Sequence, residues 1–149
     1  DHLDRQPLDL VDLVRELVLG LTPVADMKDI ALHLRGEETV SYSGDAILLQ
    51  NAIRNLIDNA LKYSPAEGVI DITVRATPNP TIEVRDEGRG FPDEDIALLP
   101  TRFARGRNAA GIIGSGLGLT IAQDVAAAHG GSLVLNTHPE GGACVALSL

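Results

Sequence analysis

Asn51-Ala52-Ile53-Arg54-Asn55-Leu56-Ile57-Asp58-Asn59-Ala60-Leu61-Lys62-Tyr63 is the stretch on which the fold turns. Wound at about 100° per residue, it places Asn51, Asn55, Asn59 and Lys62 within a stripe of roughly 80°, with Asp58 on its margin. Ile53, Leu56, Ile57 and Ala60 fall on the opposite side, a face suited to burial. A merely solvated face would more readily carry Lys, Glu or Gln, which form helices better than asparagine does. A carboxamide oxygen is a hard ligand suited to Mg²⁺, and an ammonium one turn away can meet a phosphate. The stripe therefore reads as the ligand-facing side of a helix. That helix starts near the capping candidates Ser43 and Asp45 and stops before the proline and glycine of Ser64–Gly68.

Downstream, period-two alternation marks two strands. Ile70, Ile72, Val74 and Ala76 alternate with Asp71, Thr73, Arg75 and Thr77. After a turn at Thr77–Pro80, Ile82 and Val84 point inward while Thr81, Glu83 and Arg85 point outward. Continuing that alternation, Asp86 falls on the buried side, where an unpaired carboxylate is strongly unfavourable. Two readings fit it: an acid paired inside the protein, or an acceptor for a ligand N–H donor such as an adenine amino group. Gly88 and Gly90 follow at once, and their missing side chains let a flat ring approach the backbone.

The third element is Gly111-Ile112-Ile113-Gly114-Ser115-Gly116-Leu117-Gly118-Leu119, which opens a helix over about Gly116–His129. Glycine-rich turns running into a helix N-terminus aim backbone N–H groups and the helix dipole at phosphates. Neither common nucleotide loop fits. The third glycine of a dinucleotide fingerprint would fall at Leu119 with no strand before it, and no Lys-Ser or Lys-Thr follows as a P-loop requires. No acidic residue lies between Asp95 and Asp124, whereas Arg102, Arg105 and Arg107 do, a distribution that suits a polyanionic ligand.

Upstream, Leu10, Leu13, Val14, Leu17, Val18 and Leu21 recur at helical spacing behind Asp9 as cap, with Gly20 or Thr22–Pro23 weakening the helix midway. Residues 1–7 are polar and aperiodic and read as a frayed linker end. Ala31–Leu34 reads as a short strand, Gly36–Ser43 as a turn-rich stretch, and two last strands lie near Ser132–Thr137 and Ala143–Leu149. A sheet covered by helices on one face is the economical packing for that order.

Composition bounds the function. The chain has 149 residues and a formal charge of −9, from 12 basic and 21 acidic side chains, which suits one acidic domain. The acidic balance excludes nucleic acid as the main partner, and two Tyr with two Phe are too few for base-stacking platforms. No apolar run approaches the ~18 residues of a membrane span. The single cysteine, Cys144, excludes a disulfide framework and reads as a small core residue. The chain opens at Asp1 without an initiator methionine and is expected to be a piece of something longer.

Asn55-x-x-x-Asn59-x-x-Lys62-Tyr63, Asp86-x-Gly88-x-Gly90, Phe103-x-Arg105 and Gly114-x-Gly116-x-Gly118-Leu119 follow one another in order. Together they resemble the N, G1, F and G2 boxes of sensor histidine kinases, and the resemblance extends from about Pro7 over the rest of the chain. It implies the α/β (α+β) two-layer sandwich of gyrase-type, chaperone and mismatch-repair ATPases. In that fold a mixed, mainly antiparallel sheet of about five strands is covered on one face by three helices, with a long ATP lid over roughly residues 92–113. It implies Asn59 as the Mg²⁺ ligand with Asn55 beside the phosphates, Lys62 on phosphate and Tyr63 against the adenine. Asp86 would accept from the adenine amino group, Gly88 and Gly90 would shape the ring pocket, and Phe91 counts among the nucleotide contacts. Arg105 would reach the terminal phosphate, while Gly114, Ser115, Gly116, Leu117, Gly118 and Leu119 would wrap the phosphate chain. Asn59, Lys62 and Arg105 would carry the transfer itself. Pro100 stands where the family often has an aromatic, so the box containing Phe103 is half matched.

The resemblance further implies an activity: Mg²⁺–ATP is bound and its γ-phosphoryl group passes to a histidine on a dimerisation domain. His2, His33, His129 and His138 all lack the acidic neighbour that usually follows such an acceptor. The expected division is a linker over residues 1–6, leading from an upstream dimerisation and phosphoacceptor domain, and the ATPase domain over 7–149. The expected partners are that upstream domain and, through the parent protein, a response regulator. No nucleic acid and no direct membrane contact are expected. The isolated domain should be a monomer on the cytoplasmic side, its parent in the inner (cytoplasmic) membrane. Two other readings share the sandwich: an ATP-binding regulatory module without catalysis, and an anti-sigma-type serine kinase.

Overall fold

Within residues 3–86, 113–137 and 142–149, which the computed structural model describes, the chain runs through ten elements. They are β1 (Gln6–Asp9), α1 (Leu10–Met27), β2 (Ala31–Gly36), β3 (Ser41–Gly44), α2 (Ala46–Tyr63), β4 (Val69–Arg75), β5 (Thr81–Arg85), α3 (Ile113–Ala128), β6 (Ser132–Thr137) and β7 (Ala143–Ser148). The expectations placed on the lid and on Gly88, Gly90, Phe91, Pro100, Phe103 and Arg105 lie outside the described residues.

Five strands form one sheet in the order β2-β4-β5-β7-β6. β2 and β4 are parallel, Ala31 opposite Val69, and every other pairing is antiparallel, so the sheet is mixed and mainly antiparallel as expected. Ile70, Ile72 and Val74 of β4, Ile82 and Val84 of β5, and Val145 and Leu147 of β7 all turn inward. They meet Val14 and Leu17 of α1, Ile53, Leu56 and Ile57 of α2, and Ala122 and Ala126 of α3 in one core. Fully burying each of the larger side chains is worth about 1.5–3 kcal/mol. Gly36 ends β2 at φ +112°, where a side chain would run into the backbone of Val74 on the neighbouring strand.

The other face of the sheet carries polar ladders, including Arg35–Asp71 at 3.0 Å and Arg75–Glu83 at 3.4 Å. Such exposed pairs add little stability. Two positions differ from expectation on this face. Thr81 is buried, its hydroxyl donating to the carbonyl of Asn79 at 2.9 Å. Cys144 is half-buried and alternates with the inward-facing residues of β7, so it is not a core residue.

α1 begins where its cap predicts: Asp9 Oδ1 accepts from the N–H groups of Val11 and Val40, both at 2.9 Å. Pro23 does not end the helix, which runs on to Met27, and beside it the Thr22 hydroxyl donates to the Val18 carbonyl at 2.7 Å. A two-stranded sheet, β1 against β3 with Gln6 opposite Gly44, replaces the expected frayed end and turn-rich stretch. Both strands are four residues long and largely exposed, so neither leaves a hydrophobic period to read.

Candidate functional site

α2 carries the asparagine stripe as its spacing requires. Asp45 caps the helix by accepting from Leu48 N–H at 3.2 Å, and Leu49, Ala52, Ile53, Leu56 and Ile57 are buried beneath it. Along the stripe, exposure falls from Asn51 (exposed) through Asn55 (half-buried) to Asn59, only 8% exposed. Asn55, Asp58, Asn59, Leu61 and Lys62 line one cleft of about 220 Å³ together with Val24 of α1 and Lys28 at the C-cap of that helix. Asn51 is not among the lining residues.

Asp86 follows β5 on the same face as Ile82 and Val84 and is 6% exposed. Its backbone N–H donates to the Ala143 carbonyl at 2.9 Å, and its Oδ1 accepts from Ala143 N–H at 3.3 Å. The start of β7 thus holds one carboxylate oxygen in place, which answers part of the cost of burying this acid. Tyr63, the last residue of α2, and Ser64, its C-cap, carry buried hydroxyls without a hydrogen-bond partner among the described residues.

The donor set fits a nucleotide with Mg²⁺. The carboxamides of Asn55 and Asn59 and the carboxylate of Asp58 are hard oxygen donors, and Lys62 supplies positive charge for phosphate. Burial lifts the Asp58 carboxyl above its usual range, against the pull of Arg54 and Lys62 one turn to either side.

α3 starts at Ile113, earlier than the expected Gly116, so Gly114–Gly118 lie in its first turns. Leu119 turns into the core, leaving only its backbone for a ligand. At the other end of α3, His129 is the packing histidine expected of it, with Nε2 accepting from Asp45 N–H at 3.1 Å and Nδ1 on the Val125 carbonyl at 2.8 Å.

The structure thus brings Asn55, Asn59 and Lys62 to one cleft, leaves Asp86 and Tyr63 off its lining, and adds two residues from outside α2. Val24 and Lys28 reach the cleft because α1 packs beside α2, a tertiary fact with no local signal in the α1 sequence. Among the described residues no group of three or more His, Cys, Asp or Glu side chains is placed to hold a metal, and no helix is long and apolar enough to cross a membrane.

A family model described as histidine kinase-, DNA gyrase B- and HSP90-like ATPases matches residues 44–149. The signal transduction histidine-protein kinase/phosphatase MprB of Mycolicibacterium smegmatis is 37% identical over 151 residues, covering 90% of this chain and 31% of that protein. Sensor protein QseC of Escherichia coli K12 is 34% identical over 142 residues, covering 93% of this chain and 30% of its own. The chain thus spans under a third of the length of these relatives. Among solved structures, the ATP binding domain of PrrB from Mycobacterium tuberculosis superposes with a TM-score of 0.78 at 26% identity, covering 98% of this chain and 96% of that one. The catalytic domain of the histidine kinase ThkA shares the fold at a TM-score of 0.80 and 19% identity, with 97% of each chain covered.

Proposed function

The chain belongs to the histidine kinase-, DNA gyrase B- and HSP90-like ATPases, as a catalytic ATP-binding domain of the sensor histidine kinase kind, and from that premise we propose that it binds Mg²⁺–ATP and passes the γ-phosphoryl group to a histidine of an upstream dimerisation domain. The observation that carries this reading is the cleft on α2, where Asn55, Asn59 and Lys62 stand together. In it Asn59 holds Mg²⁺ through its carboxamide oxygen, Asn55 lies beside the phosphates, and Lys62 neutralises phosphate charge. The metal supplies further positive charge to the phosphate chain when bound. Asp86 accepts from the adenine amino group through its carboxylate, and Tyr63 lies against the ring. Roles for Gly88, Gly90, Phe91 and Arg105, and for the backbone of Gly114–Leu119, follow from the family motif.

The chemistry asked of the protein is mainly positioning and charge neutralisation. The terminal P–O bond of ATP breaks, a P–N bond to an imidazole forms, and ADP leaves. Residues 1–6 serve as the linker to the acceptor domain, with residues 7–149 as the ATPase domain. A response regulator then takes the phosphoryl group from the parent protein, at the cytoplasmic side of the membrane.

The test is reconstitution. Incubated with a separately produced dimerisation domain and radiolabelled Mg²⁺–ATP, the chain should label that domain. Arg105→Ala should keep nucleotide affinity and lose transfer. No labelling at any concentration of the two parts would count against the kinase reading and leave an ATP-binding regulatory module in its place.

A further inference from the structure

Lys28 belongs to none of the motifs, yet it lines the same cleft as Asn55, Asn59 and Lys62. Its backbone is fixed from both sides. Lys28 N–H donates to the Ala25 carbonyl at 3.0 Å, Ile30 N–H to the same carbonyl at 2.9 Å, and Asp29 N–H to Asp26 at 3.1 Å. The turn after α2 is pinned to this one, since Glu67 N–H donates to the Asp29 carbonyl at 2.7 Å and Ala31 N–H to Gly68 at 3.0 Å. α1 and α2 therefore end side by side.

Two helix C-termini at one end of a cleft present partial negative charge there, and the Asp58 carboxylate adds to it. An anion seated in that cleft needs cations close by. The lining supplies two, Lys62 from the last turn of α2 and Lys28 from the cap of α1. Lys28 is not needed to satisfy the carbonyls of Ala25 and Asp26 at the end of α1, because both already accept backbone N–H groups.

We propose that Lys28 is a second phosphate-binding residue, holding the outer phosphates of the nucleotide from the α1 side of the cleft while Lys62 holds them from α2. This rests on the nucleotide-binding reading above. It assigns α1 a part in recognising the triphosphate that the family motif does not give it, and it makes affinity for the phosphate chain depend on the packing of α1 against α2.

Calorimetric titration of the 149-residue chain at low ionic strength tests it, using a non-hydrolysable Mg²⁺–ATP analogue and adenosine as ligands. Lys28→Ala should weaken the triphosphate about threefold to fivefold, the size of one exposed charge contact, and leave adenosine unchanged. Lys28→Arg should keep the triphosphate affinity. Wild-type affinity for the triphosphate in Lys28→Ala overturns the inference, as does an equal loss of adenosine, which would mark a structural effect. A wild-type chain that binds neither ligand overturns the nucleotide reading itself, before any variant is made.

Discussion

The backbone N–H of Asp45 donates to Nε2 of the buried His129 at 3.1 Å, and this contact ties the start of α2 to the end of α3. Because Nε2 accepts, the ring proton sits on Nδ1 and is donated to the Val125 carbonyl at 2.8 Å. The Asp45 carboxylate meanwhile takes the N–H groups of Leu48 and Asp4, which hold its carboxyl below the usual range. One residue thus joins the incoming chain to the two helices that bear the nucleotide motifs.

His129→Ala removes the acceptor for Asp45 N–H and leaves a void beside Tyr42, whose ring centroid lies 6.1 Å from that of His129. The expected loss is about 2–3 kcal/mol of stability, read from the midpoint of urea unfolding. An unchanged midpoint would mean that the link between the helices contributes nothing.

Asp58 predicts a pH dependence of the opposite sign to that of a salt-bridged acid. Burial lifts its folded-state carboxyl above the unfolded value, so its ionisation disfavours the folded state once the pH rises through that range. Asp58→Asn should raise the melting temperature at pH 7 by about 1–3 °C, a modest gain because the group is partly solvated. The gain should vanish below about pH 4, where the carboxyl is protonated in both states. Melting curves of the two proteins at pH 3.5 and 7 check both halves.

Cys144 should be a poor nucleophile. Burial first, then the neighbouring Glu83 carboxylate, push its thiol up to about 11. Only about one molecule in a thousand then carries the thiolate at pH 8. Alkylation by iodoacetamide should be far slower in the folded protein than in urea, and equal rates would contradict the placement of Cys144 beside Glu83.

Much of this architecture is legible along the chain. α2, β4 and β5 announce themselves because burial on one face writes a period into the sequence. The inward placement of Asp86 follows from counting two residues on from Val84. The β1–β3 pair was hidden because its hydrogen bonds join Gln6–Asp9 to Ser41–Gly44, and neither strand buries an apolar row. Asp9 reads as a cap, but its second acceptance from Val40 depends on that pairing. Lys28 and Val24 reach the cleft through helix packing, and the Asp45–His129 contact joins residues far apart in sequence, so neither has a local signature.

Titration of a non-hydrolysable ATP analogue into wild type and Asp86→Asn, with and without Mg²⁺, tests nucleotide recognition most directly. Asparagine keeps an oxygen that can accept from Ala143 N–H, so the variant preserves that bond. Wild type should bind the analogue, Mg²⁺ should strengthen binding, and Asp86→Asn should weaken it at least about tenfold through loss of a buried charged acceptor. Equal affinity in wild type and Asp86→Asn would contradict the role given to Asp86.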